Sequence, residues 1–589
     1  MKKVMTMMML LASTAGIVGC QTEDESWIDE WYGETVNDGG SSAGAGSGTA
    51  TAGSGELTTF TIAIDQTTAE PLTTVGEYFP DEEDALENNT FATLVNIRFD
   101  GSSVSYDSVD GVTITADGAH VVADHASVAG VCYRVSGQTA NGSLTILGDK
   151  KYEVELSGAD IVNPDSTALN LLSKKRAFLL LTDGTTNRLQ DGSASKADDQ
   201  KAALYCKGKL LFNGNGQLAV YGNYNNAIHS ADYIVFRKGC NVYVKSTANH
   251  GIKANDGIYI NGGILNVEVT AAAAKGINCE SNIVVNGGRT TVITTGSGTY
   301  DTDDKEVKAA AAIKCDSTYT QNGGEVYLKS TGNGGKGLKT DYEASVNGGS
   351  LYVITEGSRY TSNNDSASPK GIKIGEKNLH GVLDVGGGVV MVRTKGQNGE
   401  GIESKGTLTI SGGIVQVAAY DDAINSASTM TVSGGDIVAV GLSSDGLDAN
   451  GNMYIKGGNI VAYGAGGAES GIDTGEQYRL YISGGNVFGI GGRIDATLGS
   501  TSQGIVSTSG SVTANGTVSV GDGTSSLATF TMPPYSYSNG TILLTTEGMT
   551  SGGSYILQMG SSQQTVTASS SIANSMGGMS GGGGRPGGR

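Results

Sequence analysis

Two sets of charged side chains recur at matched offsets along this chain, and each set implies a chemistry. Counting from the apolar residue that opens each repeat, the next position carries His229, Lys253, Asn278, Lys314, Lys339 and Lys373. It then carries Glu403, Asn425, Asp448 and Asp473. Two positions before the apolar residue, Lys275, Lys336 and Lys370 give way to Glu400, Asp422 and Asp445. Ammonium groups at regular intervals can meet carboxylates on a polymer laid alongside, which makes Lys253, Lys314, Lys339 and Lys373 the candidate substrate-binding residues. The same lysines can instead pair with Asp and Glu of adjacent repeats, in surface ion pairs worth about 0–1 kcal/mol each. Stacked carboxylates repel unless something neutralises them. Calcium, which takes six to eight oxygens at about 2.3–2.6 Å, is the simplest remedy. Glu400, Glu403, Asp421, Asp422, Asn425, Asp445, Asp448 and Asp473 are therefore candidate metal ligands, with screening by water and by neighbouring lysines as the alternative.

What positions these columns is a repeat. Gly-Gly pairs begin at 262, 287, 323, 348, 387, 412, 434, 457 and 484, mostly 22 to 27 residues apart. A fixed period of this size marks a solenoid, in which each repeat buries its apolar face against its neighbours. One repeat reads Gly401-Ile402-Glu403-Ser404, Thr407-Leu408-Thr409-Ile410, Gly412-Gly413, Ile414-Val415-Gln416-Val417. Three short alternating strands per repeat, with no helical periodicity, predict an all-β parallel β-helix. Alternation sends Cys206, Ser230, Ala254, Cys279, Cys315, Thr340, Ser404, Ser426, Ala449 and Thr474 inward as a ladder of small residues, so the cysteines read as core thiols. Tyr327, Tyr352 and Tyr463 are expected at the surface, where they could stack on sugars or simply pack. The two longest steps place polar insertions at 299–307 and 360–368, at comparable corners, where they could wall a groove or stand as simple solvent-exposed loops.

Composition narrows the function. Of 589 residues 92 are glycine, and the net charge is −21, which argues against nucleic acid as a partner. Five histidines without ligand spacing make zinc a poor fit. Lys2 and Lys3, an apolar run and Ile17-Val18-Gly19-Cys20 describe an exported chain, with residues 1–19 a signal peptide. Cysteine after the small residue resembles the bacterial lipobox, so Cys20 is the expected lipidation site and the membrane is met through a lipid anchor. The acidic residues after Cys20 resemble the surface-export signal of Bacteroidota lipoproteins, which implies an outer-membrane lipoprotein at the cell surface. Residues 20–55 read as a flexible acidic and Gly/Ser-rich tether. Residues 56–110 read as an N-terminal cap or irregular first coils, 111–496 as the helix, 497–575 as a small C-terminal β cap and 576–589 as a disordered tail.

The run Gly401-Ile402-Glu403, Asp421-Asp422-Ala423-Ile424-Asn425 and Ser444-Asp445-Gly446-Leu447-Asp448, each followed by a Gly-Gly strand pair, resembles a bacterial carbohydrate-binding-domain family of exported β-helical proteins. Leu189-Gln190-Asp191-Gly192, Leu211–Gly216 and Asn223-Tyr224-Asn225 resemble it too. The resemblance spans roughly 111–490. It implies a right-handed parallel β-helix, pectate-lyase-like in shape, with Ca2+ as cofactor and a polysaccharide partner, either an acidic glycan of the pectin type or cellulose. Asn225-Asn226-Ala227-Ile228 departs from the more acidic form of the motif, which puts a calcium site in that early coil in doubt. Two alternatives stay open: a calcium-dependent pectate-type lyase, in which Lys373 would be the base, and a structural or adhesive surface protein. Against a lyase, the lysines form a graded row with no singular constellation. A glycosidase needs one pair of carboxyls set apart, and here there is a whole ladder.

Overall fold

The computed structural model describes residues 75–194, 200–376 and 381–572. The signal segment, Cys20, the tether and the 576–589 tail lie outside the described residues.

The described chain is all-β and winds through successive coils of mostly parallel strands. In one coil the strands are Glu400–Ser404, Thr407–Ile410 and Ile414–Ala419. Each pairs in parallel with its counterpart in the coils before and after. The first strands of the coils stack into a 16-stranded sheet, and the second and third strands join a 28-stranded one. In the last coils the second and third strands run together through the Gly-Gly corner, as in Met430–Gly441 and Met453–Tyr463.

The glycine pairs have a physical cause at each position. The second glycine takes the left-handed backbone region, with φ of +80° at Gly413, which β-carbons disfavour. The first is excluded from carrying a side chain by the coil below: a Cβ on Gly412 would sit 2.5 Å from the Gly386 carbonyl oxygen. Alternation then builds the core. Leu408, Ile410, Val415 and Val417 point inward, and the whole ladder of small residues from Cys206 to Thr474 is buried. All five described cysteines are free thiols and buried, as their register implied. Within the ladder the Ser230 and Ser426 hydroxyls donate to carbonyls of Gly208 and Gly406, at 2.8 and 2.9 Å, so these serines are satisfied locally, whereas the Thr340 and Thr474 hydroxyls are buried without a partner.

Residues 75–91 cross the outside of the early coils. There Arg176 binds Asp81, Glu83 and Asp84, and Arg237 binds Glu77 and Glu87. Regular coiling has begun by Thr93–Asp100, which pairs in parallel with Val131–Thr139. After the last coils, Tyr537–Thr545 runs antiparallel to Leu480–Gly491 and to Ile505–Val512. A four-stranded antiparallel sheet follows. Its Phe530 packs with Phe488 in an apolar cluster shared with Ile490 and Ile542.

Both insertions are β-hairpins. Thr299–Asp301 pairs with Glu306–Lys308, and Tyr360–Ser362 with Asp365–Ala367. The two hairpins meet, with the Val307 amide donating to the Asp365 carboxylate at 2.6 Å.

Candidate functional site

The outward column stands in register on the 16-stranded sheet. His229, Lys253, Asn278, Lys314, Lys339, Lys373, Glu403, Asn425, Asp448 and Asp473 are direct partners on successive first strands. The second row also holds: Lys336 pairs with Lys370, and Lys370 with Glu400. Parallel strands lie about 4.8 Å apart, so each column is a strip that changes sign between adjacent coils, interrupted by Asn278 in the first row and by Ala311 between Lys275 and Lys336 in the second.

On the lysine half the strip is a cavity of about 630 Å³, walled by the paired hairpins through Glu306, Val307, Lys308 and Ser366–Ser368. Its floor is formed by Lys275, Lys314, Lys336, Lys339, Lys370 and Lys373, with His250 at one end and Glu403 and Lys405 at the other. The predicted binders are not free cations. Lys253 pairs with Glu280 at 2.8 Å, and Lys314 with Asp316 and, at 3.3 Å, with Asp341. Lys339 pairs with Glu376, which lies 3.2 Å from Lys373. Lys373, the candidate lyase base, is thus engaged with a carboxylate. The pairing carboxylates come from the turns just after each strand, and the sequence carried a sign of them: Lys314-Cys315-Asp316 and Lys339-Thr340-Asp341 repeat one spacing. The second row is the more buried. Lys336 and Lys370 are each only 8 % exposed.

The sign change itself is an ion-pair network. Lys370 contacts both Glu400 and Glu403, the latter at 3.2 Å, and Lys405 also contacts Glu403. Burial opposes ionisation of Glu403, yet Lys370 and Lys405 outweigh it and hold its carboxyl below the usual range. Burial, reinforced by the Glu403 charge, pushes Glu400 up in spite of Lys370.

Beyond that rung the carboxylates lack cations. Among the described residues no lysine or arginine forms an ion pair with Asp421, Asp422, Asp445, Asp448 or Asp473. Burial first, then Asp422, Asp473 and Asp445, push Asp448 up to about 8. Burial and neighbouring carboxylates push Asp445 up to about 8, although the Ser470 amide donates to it at 2.6 Å. Burial and Asp495 raise Asp473 to about 6. Asp421 is raised by burial and Asp422. Asn425 bridges two of these groups, donating to Asp448 at 2.7 Å and to Asp422 at 3.3 Å. As placed, no three His, Cys, Asp or Glu side chains among the described residues converge tightly enough to grip a metal ion. The donor set is nonetheless one of hard oxygens under unrelieved mutual repulsion, which is the chemistry a calcium ion suits.

A family model described as carbohydrate-binding domain-containing protein matches residues 108–273, 267–353 and 331–440, over half of the chain. The chain belongs to this family. The carbohydrate-binding domain so defined includes the whole lysine strip and the first acidic coils, while Asp445, Asp448 and Asp473 lie past the matched residues. A carbohydrate-binding domain-containing protein of Acetivibrio thermocellus is 27% identical over 157 residues, 26% of this chain and 52% of the relative. The chain thus spans about half the length of that relative. A solved polysaccharide lyase-like protein from C. thermocellum, a gadolinium derivative, is 20% identical with a TM-score of 0.32. That match covers 54% of this chain and 97% of the other.

The expected tyrosine surface needs correction. Tyr327 and Tyr463 are buried, at 7 % and 3 % exposed, so neither offers a sugar-stacking face. Tyr352 is half-buried with its ring stacked on Tyr327 at 4.9 Å, because in-register tyrosines on parallel strands cover one another. Sequence reasoning puts forward the first lysine row; the second row lines the same cavity and contains Lys275 and Lys336, which have no carboxylate within ion-pair distance among the described residues.

Proposed function

We propose that this protein binds an acidic polysaccharide, of the pectin or polygalacturonate type, on the walled lysine face, with calcium held by the adjoining carboxylate coils. The observation that carries the reading is the in-register strip of lysines inside a cavity of a carbohydrate-binding domain. Small-molecule sites occupy roughly 300–1,000 Å³, and this cavity falls in that range. Calcium would be held by Asp422, Asn425, Asp445, Asp448 and Asp473, with Glu400, Glu403 and Asp421 at the margin. There it would neutralise the carboxylates and could bridge them to a uronate. Cellulose is the neutral alternative ligand. The solenoid is read as right-handed, with the C-terminal antiparallel unit as its cap. Cys20 would carry a lipid anchor and display the domain at the outer-membrane surface.

Binding is favoured over lyase chemistry because Lys373 faces Glu376 and because the lysines form a graded row with no singular base. The test is retention of the full mature chain on polygalacturonate and on cellulose, with calcium and with chelator, while ultraviolet absorbance reports unsaturated product. Calcium-dependent retention on polygalacturonate without new absorbance is expected. Rising absorbance would make the protein a lyase, and no retention on either polymer would favour a structural or adhesive role.

A further inference from the structure

Lys275 and Lys336 differ from every other lysine on the cavity floor. Lys336 Nζ donates to the Gly334 carbonyl at 2.7 Å and Lys275 Nζ to the Ala273 carbonyl. Among the described residues neither has a carboxylate within ion-pair distance. An ammonium carries three donors, so each lysine keeps hydrogen-bonding capacity that its carbonyl does not use. Both line the cavity beneath the two hairpins.

The cavity also has a natural end. Both charged rows reverse sign at Glu400 and Glu403, and the coils beyond carry Asp422, Asp445 and Asp448. A polyanion running onward would meet like charge. The hairpins and the carboxylates Asp341 and Glu376 line the same cavity.

We propose that Lys275 and Lys336 form an anion subsite that captures the terminal uronate of an acidic glycan, or a short oligouronate, and not the interior of a long polymer. The inference rests on the acidic-glycan reading above and specifies its mode. The subsite has a further property. Burial first, then Lys339, Lys314 and Lys308, bring Lys275 down to about 8. Burial and the charges of Lys373, Lys339, Lys370 and Lys275 depress Lys336 well below the ordinary lysine range. His250 is depressed to about 3 by burial and then by Lys275 and Lys253, so it adds no charge near neutrality. Opposing groups are Glu306 on the first hairpin, Asp316, Asp341 and Glu376 on the turns and Glu403 at the upper rim, each paired with a lysine other than these two, Asp316 and Asp341 sharing Lys314. Ala311 stands in register between Lys275 and Lys336 on the sheet, and an anionic sugar seated over it, with a carboxylate near either ammonium, favours their charged forms. Binding therefore takes up protons, and affinity falls as pH rises through about 8.

The test is calorimetric titration of the full mature chain with galacturonate, trigalacturonate and polygalacturonate at matched chain concentrations. It is run at pH 8 in two buffers of different ionisation heat. Affinity per chain should be nearly independent of length from trigalacturonate upward, with net proton uptake. K275M and K336M should each weaken trigalacturonate on the order of tenfold. K245M, which removes a pair with Glu268 on another strand row, should not. If affinity climbs steadily with chain length and survives K275M and K336M, the subsite is wrong while the face-binding reading stands. If no uronate binds at all, both fail. Should either variant misfold, proton uptake by the unaltered chain decides, and its absence overturns the proposal.

Discussion

The lysine coils and the carboxylate coils occupy the same two columns of the same sheet, yet they meet their charges in opposite ways. On the lysine coils, the turns after Asn278, Lys314, Lys339 and Lys373 return Glu280, Asp316, Asp341 and Glu376 toward the strip, so most ammonium groups are paired. On the carboxylate coils Lys405, in the turn after Glu403, is the last turn lysine to pair with the column; beyond it no described turn residue does so, and Arg493 pairs with Asp495 at the last rung. One half is therefore largely balanced by ion pairs within the chain, apart from Lys275 and Lys336, whereas Asp421, Asp422, Asp445, Asp448 and Asp473 on the other half have no ion-pair partner among the described residues.

The sharpest way to break this contrast is at the rung that separates the halves. K370M removes the one cation shared by Glu400 and Glu403, both largely buried. Stranding buried carboxylates costs about 3–5 kcal/mol, so a loss of that order in denaturant unfolding is expected at pH 8. It should be smaller at pH 5, where Glu400 can take a proton. Adding E400Q should recover part of the loss, because Glu403 retains Lys405. If K370M is neutral at pH 8, the network is not holding the two halves together.

The next effect concerns the carboxylate half alone. Asp445 and Asp448 stand at about 8 in the folded chain, far above an unfolded carboxyl near 4. Between those values the folded chain keeps protons that the unfolded chain has lost, so without metal these groups cost stability as pH rises from about 4 to about 8. Lys275 and Lys336, depressed by burial, act in the opposite sense at the alkaline end, hence the comparison must be made against D445N/D448N. That variant should be more stable than the natural chain at pH 8 in chelator, by roughly 1–3 kcal/mol, and its stability should depend less on pH. Calcium at one hundred times its Kd should stabilise the natural chain by about 2.7 kcal/mol and leave the variant unmoved. Equal calcium shifts in both would place the ion elsewhere.

How much of this was legible beforehand follows from where each feature originates. Strand order, the inward ladder and both charged columns were readable because a solenoid turns sequence period into spatial register, so Lys339 and Lys373 had to be neighbours. The matching carboxylates were half legible: Asp316 and Asp341 recur two residues after their lysines, whereas Glu376 is offset by three and interrupts the pattern. Depth was not legible. Whether Lys253 or Lys336 lies under a roof depends on how the hairpins at 299–308 and 360–367 fold back and meet, through contacts such as Val307 with Asp365 that carry no periodic signal. Tyrosine exposure failed for a related reason, since the in-register neighbour and not the residue itself decides which ring face is left open.

The smallest expected effect is also the most discriminating for the lysine half. Glu376 is shared by Lys339 and Lys373, and its carboxyl is held at about 2 because both lysines outweigh the cost of burying it. Its side chain remains partly exposed, so E376Q should cost no more than about 1 kcal/mol of stability. The same change releases two ammonium groups toward the cavity. If pairing by the turns is what restrains this face, E376Q should tighten trigalacturonate binding a few-fold at low salt, with the gain fading as ionic strength rises. Weaker binding in E376Q would mean that Glu376 positions the lysines for the ligand, and the paired half would then be a preorganised site in which each carboxylate sets the angle of an ammonium.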